Sequence, residues 1–319
     1  MTTKQTPMVE TLDYASGATR SLALERIGII TELELRMKFQ TDTSGTPTLI
    51  QDALARIIKG ISIRDGQGHA WWACGDGRQL HWLNYMQSKG QVRIDTIPNS
   101  GTDNVSEALW KIHFGVNPNN PFDPSAGIPA AELGQLTLEI TWGAVTDMAA
   151  SLLSIDSGTV YVTPSTILSG PEYNQARRNM LLPTVRWEKY DIAAAQGELG
   201  VRRELPAGSI LHKTLIMVVD GDGTRMVTPT DEDVTEVGYI KALENTTPWK
   251  RNWIALEGDQ YSHYQTAAKP VGVALIDWGR IAAGSALDLR RRLPGYDYLG
   301  FTTVDTGGDI WLLHLAYSK

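Results

Sequence analysis

The sequence predicts an all-β protein made of two similar β-sandwich domains, with short helices in the loops between strands. Three observations support this fold class: alternation of apolar and polar residues, turn residues between short apolar runs, and a weak internal repeat. At roughly 150 residues per domain, the 319 residues of the chain suit two domains or one large all-β domain.

The clearest strand pattern lies at residues 31–39, TELELRMKF. Alternate residues there are apolar, so one face of a strand is buried and the other faces water. Shorter runs of the same kind are bounded by Gly, Pro, Asn or Asp, which is typical of strands and turns in an all-β domain. These runs lie at 59–66, 69–75, 108–116, 135–143, 158–167, 212–223, 251–258, 270–279, 298–305 and 309–317.

Helical patterns are few and short. The candidates are residues 49–58, 77–90 and 171–181, which we interpret as helices in loops between strands.

An internal repeat divides the chain. Tyr14 and Gly28, followed by a long strand, have counterparts in Tyr190 and Gly208, with spacings of 190 − 14 = 176 and 208 − 28 = 180 residues. Each repeat has about the size of an eight-stranded sandwich with its loops. We therefore predict a flexible, polar N-terminal arm at 1–12, a first domain at 13–170 and a second at 171–319.

Composition excludes several classes of protein. Hydrophobic residues make up 42% and charged residues 20% of the chain, which is typical of a globular protein. The net charge of −7 argues against a protein that coats nucleic acid through its overall field. Cys74 is the only cysteine, which excludes an intrachain disulfide and a multi-cysteine zinc site. The first 20 residues lack the apolar core of an export signal, so we expect the protein to be made and assembled in a cytoplasm.

The sequence contains no pattern that predicts catalysis, so we expect no enzyme activity, no cofactor and no metal. No HExxH motif and no glycine-rich phosphate loop occurs. The loop at 220–224, DGDGT, is better interpreted as a hairpin turn than as a calcium loop. The histidines are scattered one to a segment, at His69, His81, His113, His212, His263 and His314.

Aromatic composition favours contacts between subunits. Trp (10) and Tyr (11) far outnumber Phe (4), and aromatic residues with a polar group suit partly hydrated interfaces. Tryptophans within apolar strands are predicted core residues: Trp110, Trp142, Trp278 and Trp311. Tryptophans near turns are candidate subunit-interface residues: Trp71, Trp72, Trp82, Trp249 and Trp253.

The densest basic run is Arg290, Arg291 and Arg292. These side chains are candidates for contacts with the phosphates of lipid head groups or of packaged nucleic acid. The alternative is an exposed loop with salt bridges, and the sequence favours it.

Four segments together resemble a known family: residues 24–39, 57–86, 113–116 and 127–143. In order and spacing they are similar to the first half of the major capsid proteins of tailless icosahedral phages with an internal membrane, of the corticovirus type. The resemblance covers residues 10–168 well and rests mainly on the internal repeat beyond them. It implies a double jelly roll, that is, two jelly-roll sandwiches in one chain.

The resemblance implies a structural protein of the virion capsid that forms homotrimers with a pseudo-hexagonal outline. Its expected partners are copies of itself, neighbouring trimers and penton or minor capsid proteins. Lipids of an inner membrane or packaged nucleic acid are further expected partners, contacted through the N-terminal arm or basic loops. Two alternatives stay open: a carbohydrate-binding or carbohydrate-processing β-sandwich, and a non-viral or receptor-binding sandwich such as a spike.

Overall fold

The computed structural model describes residues 3–5, 10–226, 233–266, 271–281, 286–304 and 307–318. The chain divides into two compact units, unit 1 at residues 1–185 and unit 2 at residues 186–318. Each unit is a β-sandwich with its own core.

The described residues of unit 1 form ten strands, of which β1 and β10 are very short. The strands are β1 (Thr3–Gln5), β2 (Glu10–Asp13), β3 (Thr19–Ala23), β4 (Ile29–Thr43), β5 (Ile58–Asp65), β6 (Ala70–Cys74), β7 (Gly101–His113), β8 (Leu136–Trp142), β9 (Leu153–Ser169) and β10 (Leu182–Pro183). The helices are α1 (Ala53–Arg56), α2 (Gly77–Gln87) and α3 (Pro171–Asn179). Two 3₁₀ turns lie at Ala130–Glu132 and Val145–Asp147.

Unit 2 repeats this arrangement. Its strands are β11 (Arg186–Asp191), β12 (Gln196–Glu204), β13 (Ile210–Val219), β14 (Val234–Lys241), β15 (Thr246–Asn252), β16 (Val273–Asp277), β17 (Leu287–Asp288), β18 (Asp297–Thr303) and β19 (Asp309–Ser318). Its helices are α4 (Trp253–Tyr264) and α5 (Trp278–Ile281).

The order of the strands is the same in both units. In unit 1 the two sheets run β2–β9–β4–β7 and β3–β8–β5–β6, all antiparallel. In unit 2 they run β11–β19–β13–β16 and β12–β18–β14–β15. If the eight sandwich strands of each unit are numbered along the chain, without β1, β10 and β17, both units read 1-8-3-6 and 2-7-4-5. This is the double-sheet jelly roll, and it confirms the predicted fold class.

The N-terminal residues and the division between the units differ from the prediction. The described residues of the predicted flexible arm form strands instead, with β1 paired to Thr166–Ser169 and β2 to Thr159–Val162. The division falls after Val185 and not after residue 170. The reason is that Val185 accepts from the amide of Ala73 and so extends the sheet of unit 1 beyond β6.

The alternating pattern at 31–39 forms the centre of the unit 1 core. Leu33, Leu35, Met37 and Phe39 on β4 are all buried. Phe39 also meets Tyr14 and Trp142 edge to face, with ring centroids 5.4–5.9 Å apart within this trio. Each such aromatic pair adds about 0.5–1.5 kcal/mol beyond its burial.

The helices match the predictions only in part. Residues 77–90 and 171–181 contain α2 and α3 as expected, but 49–58 holds only the short helix α1. The predicted strand at 251–258 is wrong, because β15 ends at Asn252 and α4 begins at the next residue. The Asn252 side chain accepts from the amide of Ile254 and caps the helix.

A helix covers the outer edge of β7 in unit 1 and of β16 in unit 2, the sixth sandwich strand of each unit. In unit 1, the Asn84 amide of α2 donates to the Lys111 carbonyl on β7 (2.9 Å) and accepts from its N–H (2.7 Å). In unit 2, Gln260 of α4 accepts from the Leu275 N–H on β16 (3.0 Å), and Tyr264 donates to the Leu275 carbonyl (3.3 Å). These side chains supply the partners that a neighbouring strand would otherwise give.

The repeated glycines stand at equivalent turns. Gly28 precedes β4 with φ +57° and Gly208 precedes β13 with φ +75°, a left-handed backbone that favours glycine. Their surroundings differ. A Cβ on Gly28 would collide with the Ile167 carbonyl oxygen and lie 2.9 Å from Thr166 Cγ2, whereas a Cβ on Gly208 meets nothing within 4 Å.

This contrast gives a first prediction. Gly208→Ala is expected to lower the free energy of unfolding by about 1–2 kcal/mol, the cost of a left-handed alanine. Gly28→Ala is expected to lower it by clearly more, because the Ile167 backbone must also move. Urea unfolding followed by circular dichroism measures both variants. Equal losses would contradict the collision.

A second prediction concerns the helix over the edge of β7. Asn84→Ala leaves the N–H and carbonyl of Lys111 without partners, so the free energy of unfolding should fall by about 1–3 kcal/mol. Asn174→Ala is the matched control, since Asn174 is an exposed amide on α3. Hydrogen exchange at Lys111 should accelerate in Asn84→Ala only. An unchanged exchange rate would show that the amide contributes nothing there.

Candidate assembly surface

Four of the five predicted interface tryptophans lie inside the subunit. Trp71, Trp72, Trp82 and Trp253 are only 1–9% exposed. Two of them have hydrogen-bond partners in their own unit, because Trp82 donates to the half-buried Asp52 (3.2 Å) and Trp253 donates to the buried Glu257 (3.0 Å). Side chains with so little free surface stabilise the fold of their own unit and offer almost no area to a second copy. This burial corrects the expectation for these four.

Trp249, the fifth candidate, is half-buried. It lies on β15, an edge strand of unit 2 with little buried surface, and packs partly against the unit 2 core. An interface role for Trp249 stays a prediction.

The most exposed tryptophan was missed by the sequence analysis. Trp187 on β11 is 41% exposed, and its ring stacks on Trp311 of β19, with centroids 6.3 Å apart. The Lys189 ammonium lies 5.9 Å from the centre of the Trp311 ring. We call Trp187, Lys189 and Trp311 the Trp187 patch. Trp311, predicted to be core, is half-buried, whereas Trp110, Trp142 and Trp278 are buried as predicted.

A signal for this patch is present in the sequence. In RWEKYD at 186–191 every second residue shares a face, which places Trp187 beside Lys189 and Asp191. An aromatic residue alternating with charges on a short strand indicates a face that is not fully covered.

The basic run is largely neutralised by its own unit. Arg290 forms a two-point contact with Asp288 (2.6 and 2.9 Å), and this contact lowers the pKa of Asp288 to about 2. Arg292 lies 3.8 Å from both Asp297 and Glu244. Within the described residues, Arg291 is exposed and has no hydrogen bond or ion pair. This geometry supports the alternative of an exposed loop with salt bridges.

Groups that could bind a metal are sparse in the described part of the chain. None of its histidines joins a set of three ligating side chains. One acidic set occurs, made of the half-buried Asp42 and the exposed Asp103 and Asp156. Burial raises the pKa of the Cys74 thiol, which disfavours the nucleophilic thiolate. Among the helices described, none has the length and apolar character needed to cross a bilayer.

His314 lies at the centre of a buried polar chain in unit 2. Trp278 donates to the Thr214 hydroxyl (2.9 Å), and that hydroxyl lies 3.0 Å from His314 Nδ1. A hydroxyl that accepts from Trp278 can donate to the unprotonated Nδ1 of a neutral imidazole. Burial, together with Arg186 and Arg203 nearby, lowers the pKa of His314 to about 3.

This pKa predicts loss of stability in acid. Because the folded pKa lies below the ordinary value of 6.5, the neutral imidazole contributes its full stability above pH 6.5. The unfolded chain binds the proton first as the pH falls, so this contribution decreases between pH 6.5 and about 3. In acid titrations, His314→Gln should therefore show a flatter loss of stability across that window. His69→Gln, at an exposed histidine, should match the parent, and equal slopes for His314→Gln and the parent would contradict the prediction.

Comparison with known proteins relates this fold to viral capsids. No family model and no curated protein matches the chain. The crystal structure of the major capsid protein of Sulfolobus turreted icosahedral virus matches 100% of this chain and 97% of that one, with a TM-score of 0.81 and 17% identity. The major capsid protein of bacteriophage PM2 matches 98% of this chain and 97% of its own length, with a TM-score of 0.57 and 12% identity.

A third similar structure is the capsid of the virus PBCV-1, with a TM-score of 0.59, 11% identity and coverage of 100% and 96%. At such identities the likeness establishes the fold, and it confirms the double jelly roll of major capsid proteins that the sequence resemblance implied. The overlap is higher with the Sulfolobus virus protein than with the PM2 protein that represents the corticovirus type.

Proposed function

We propose that this protein is the major capsid protein of a tailless icosahedral virus and that its activity is self-association, not enzyme catalysis. One observation carries the proposal: both units have the 1-8-3-6 and 2-7-4-5 strand order, in a chain that overlaps the Sulfolobus virus capsid protein along its whole length. The site of action is the virion capsid, after assembly in the host cytoplasm.

The repeated fold favours a homotrimer. Each chain presents two similar units, so three chains around a threefold axis present six similar units and a pseudo-hexagonal outline. Closed cyclic symmetry of this kind is common in homo-oligomers. We expect the trimer contacts to bury more than about 2,000 Å², as in obligate interfaces.

The Trp187 patch is our candidate for a contact within the trimer. It combines an exposed, stacked tryptophan with a lysine beside it, and tryptophans often dominate the energy of an interface. Weaker polar contacts between trimers would then allow assembly errors to be corrected.

The remaining partners belong to the same proposal. Penton or minor capsid proteins would complete the shell. Arg291, which has no hydrogen bond or ion pair to any described residue, is the candidate of the basic run for a lipid or nucleic-acid phosphate. The solved neighbours include both a bacteriophage protein and a Sulfolobus virus protein. A bacteriophage as the source therefore stays a prediction.

The proposal is tested by light scattering on a sizing column, with negative-stain images of the same peak. A compact particle with three times the 35.1 kDa chain mass and a pseudo-hexagonal outline is expected. A stable monomer at micromolar concentration would overturn the trimer.

Trp187→Ala should weaken the trimer. Loss of an interface tryptophan costs about 2 kcal/mol or more, so the trimer should dissociate at a protein concentration where the parent stays assembled. Tyr261→Ala is the matched control, because Tyr261 on α4 is similarly exposed at 45%. Thermal unfolding checks that both variants fold. An unchanged trimer in Trp187→Ala would place the contact elsewhere.

A further inference from the structure

Unit 2 contains a cavity of about 240 Å³ between β15, α4, β16 and α5. This volume is smaller than that of drug-sized sites, which begin at about 300 Å³, so it suits one small ring. Its lining includes Trp249, Arg251, Asp259, Gln260, Asp277 and Arg280. All these residues belong to one unit.

Trp249 gives the cavity an aromatic wall. The ring is half-buried against the unit 2 core, so it is held in place and still has free surface. No described residue accepts from its indole N–H. Trp249 therefore offers a ring surface and a polar donor to a bound molecule.

Gln260 supplies a buried donor at the same cavity. The residue is 4% exposed, and its Oε1 accepts from the Leu275 N–H at 3.0 Å. This bond fixes the orientation of the amide, and no described residue accepts from Nε2. Because Gln260 lines the cavity, its amide N–H₂ group is a donor from which a ligand oxygen can accept.

The charges that line the cavity balance, with two of each sign, and the buried Lys213 that faces Asp277 from β13 lies outside this lining. Arg251 lies 3.5 Å from Asp259, and Asp277 and Arg280 line the cavity with opposite charges. Asp277 accepts from the Gly279 N–H through Oδ1, and no described residue donates to its Oδ2. The two carboxylates would repel a bound anion. The two guanidinium groups would repel a bound divalent cation. A neutral molecule with both donors and acceptors fits best.

We propose that this cavity binds a neutral pyranose sugar, such as one terminal residue of a glycan. The apolar C–H face of the sugar ring lies on Trp249, which excludes water from both surfaces. The ring hydroxyls donate to Asp277 and accept from Gln260 Nε2 and Arg280. Each hydroxyl both donates and accepts, which matches this mixture of groups.

The test uses the full chain with four probes: glucose, galactose, mannose and N-acetylglucosamine. Binding is measured by saturation-transfer NMR and by the change in tryptophan fluorescence. We expect at least one sugar to saturate with a Kd on the order of 1 mM, a weak affinity for a small polar ligand.

Variants identify the cavity as the site. Trp249→Ala should weaken binding by about tenfold or more, which corresponds to about 1.4 kcal/mol. Trp249→Phe should retain part of the affinity for the sugar, because an aromatic ring remains. Asp277→Asn should also weaken binding. Trp187→Ala is the matched control and should leave the Kd unchanged, because the Trp187 patch shares no residue with the cavity.

Two results would overturn the proposal: no sugar of the panel binds, or Trp249→Ala binds as tightly as the parent while thermal unfolding shows it folded. Competition by inorganic phosphate would also overturn it, since it would make the site an anion site. The oligomeric state is measured on the same samples, because Trp249 is also a candidate interface residue. A monomer that binds sugar contradicts only the capsomer, and a trimer that binds none contradicts only the sugar site.

Discussion

Each sandwich depends on hydrogen-bond partners for the outer edge of one strand, which is β7 in unit 1 and β16 in unit 2. The backbone groups at the edge of a sheet cannot be buried without partners, and β16 is almost entirely buried. In unit 2 the partners are Gln260 and Tyr264 of α4, and in unit 1 the Asn84 amide of α2 pairs with Lys111 as a strand would. A helix follows β6 in unit 1 and β15 in unit 2. A helix at the same place in the strand order therefore supplies the edge with hydrogen-bond partners in both units.

The position of α4 also decides where a ligand can bind. Gln260 uses its oxygen for the edge of β16 and also lines the neighbouring cavity. The opposite wall is β15, an exposed edge that contains Pro248 and Lys250. A proline and a charged side chain on an edge strand oppose pairing with another sheet. Pro248 thus both opposes pairing of this edge with another strand and lines the cavity.

Prediction from sequence succeeded where a pattern is local and failed where burial is decided by distant residues. Alternation at 31–39 identified β4 within nine residues of chain. The repeat was identified because Gly28 and Gly208 each stand in a similar short pattern, a glycine turn followed by a strand. The tryptophans show the opposite case. Nearness to a turn suggested an exposed Trp253, yet this residue begins a capped helix and is buried. Trp187 was missed because its strand, RWEKYD, is short. Each of its two faces carries one aromatic residue among charged residues, a pattern too weak to predict a strand.

The sequence by itself determined an all-β chain of two similar domains, and it contains no HExxH motif and no glycine-rich phosphate loop. These properties follow from composition and from a two-residue period that each strand carries alone. Only the tertiary structure decided the strand order, the exposed tryptophan and the cavity in unit 2. Each depends on residues far apart in the chain, as with Thr214 and His314, which are 100 positions apart and share a hydrogen bond. Local periodicity states which face of a strand is apolar, but it does not state which other strand or helix will cover that face.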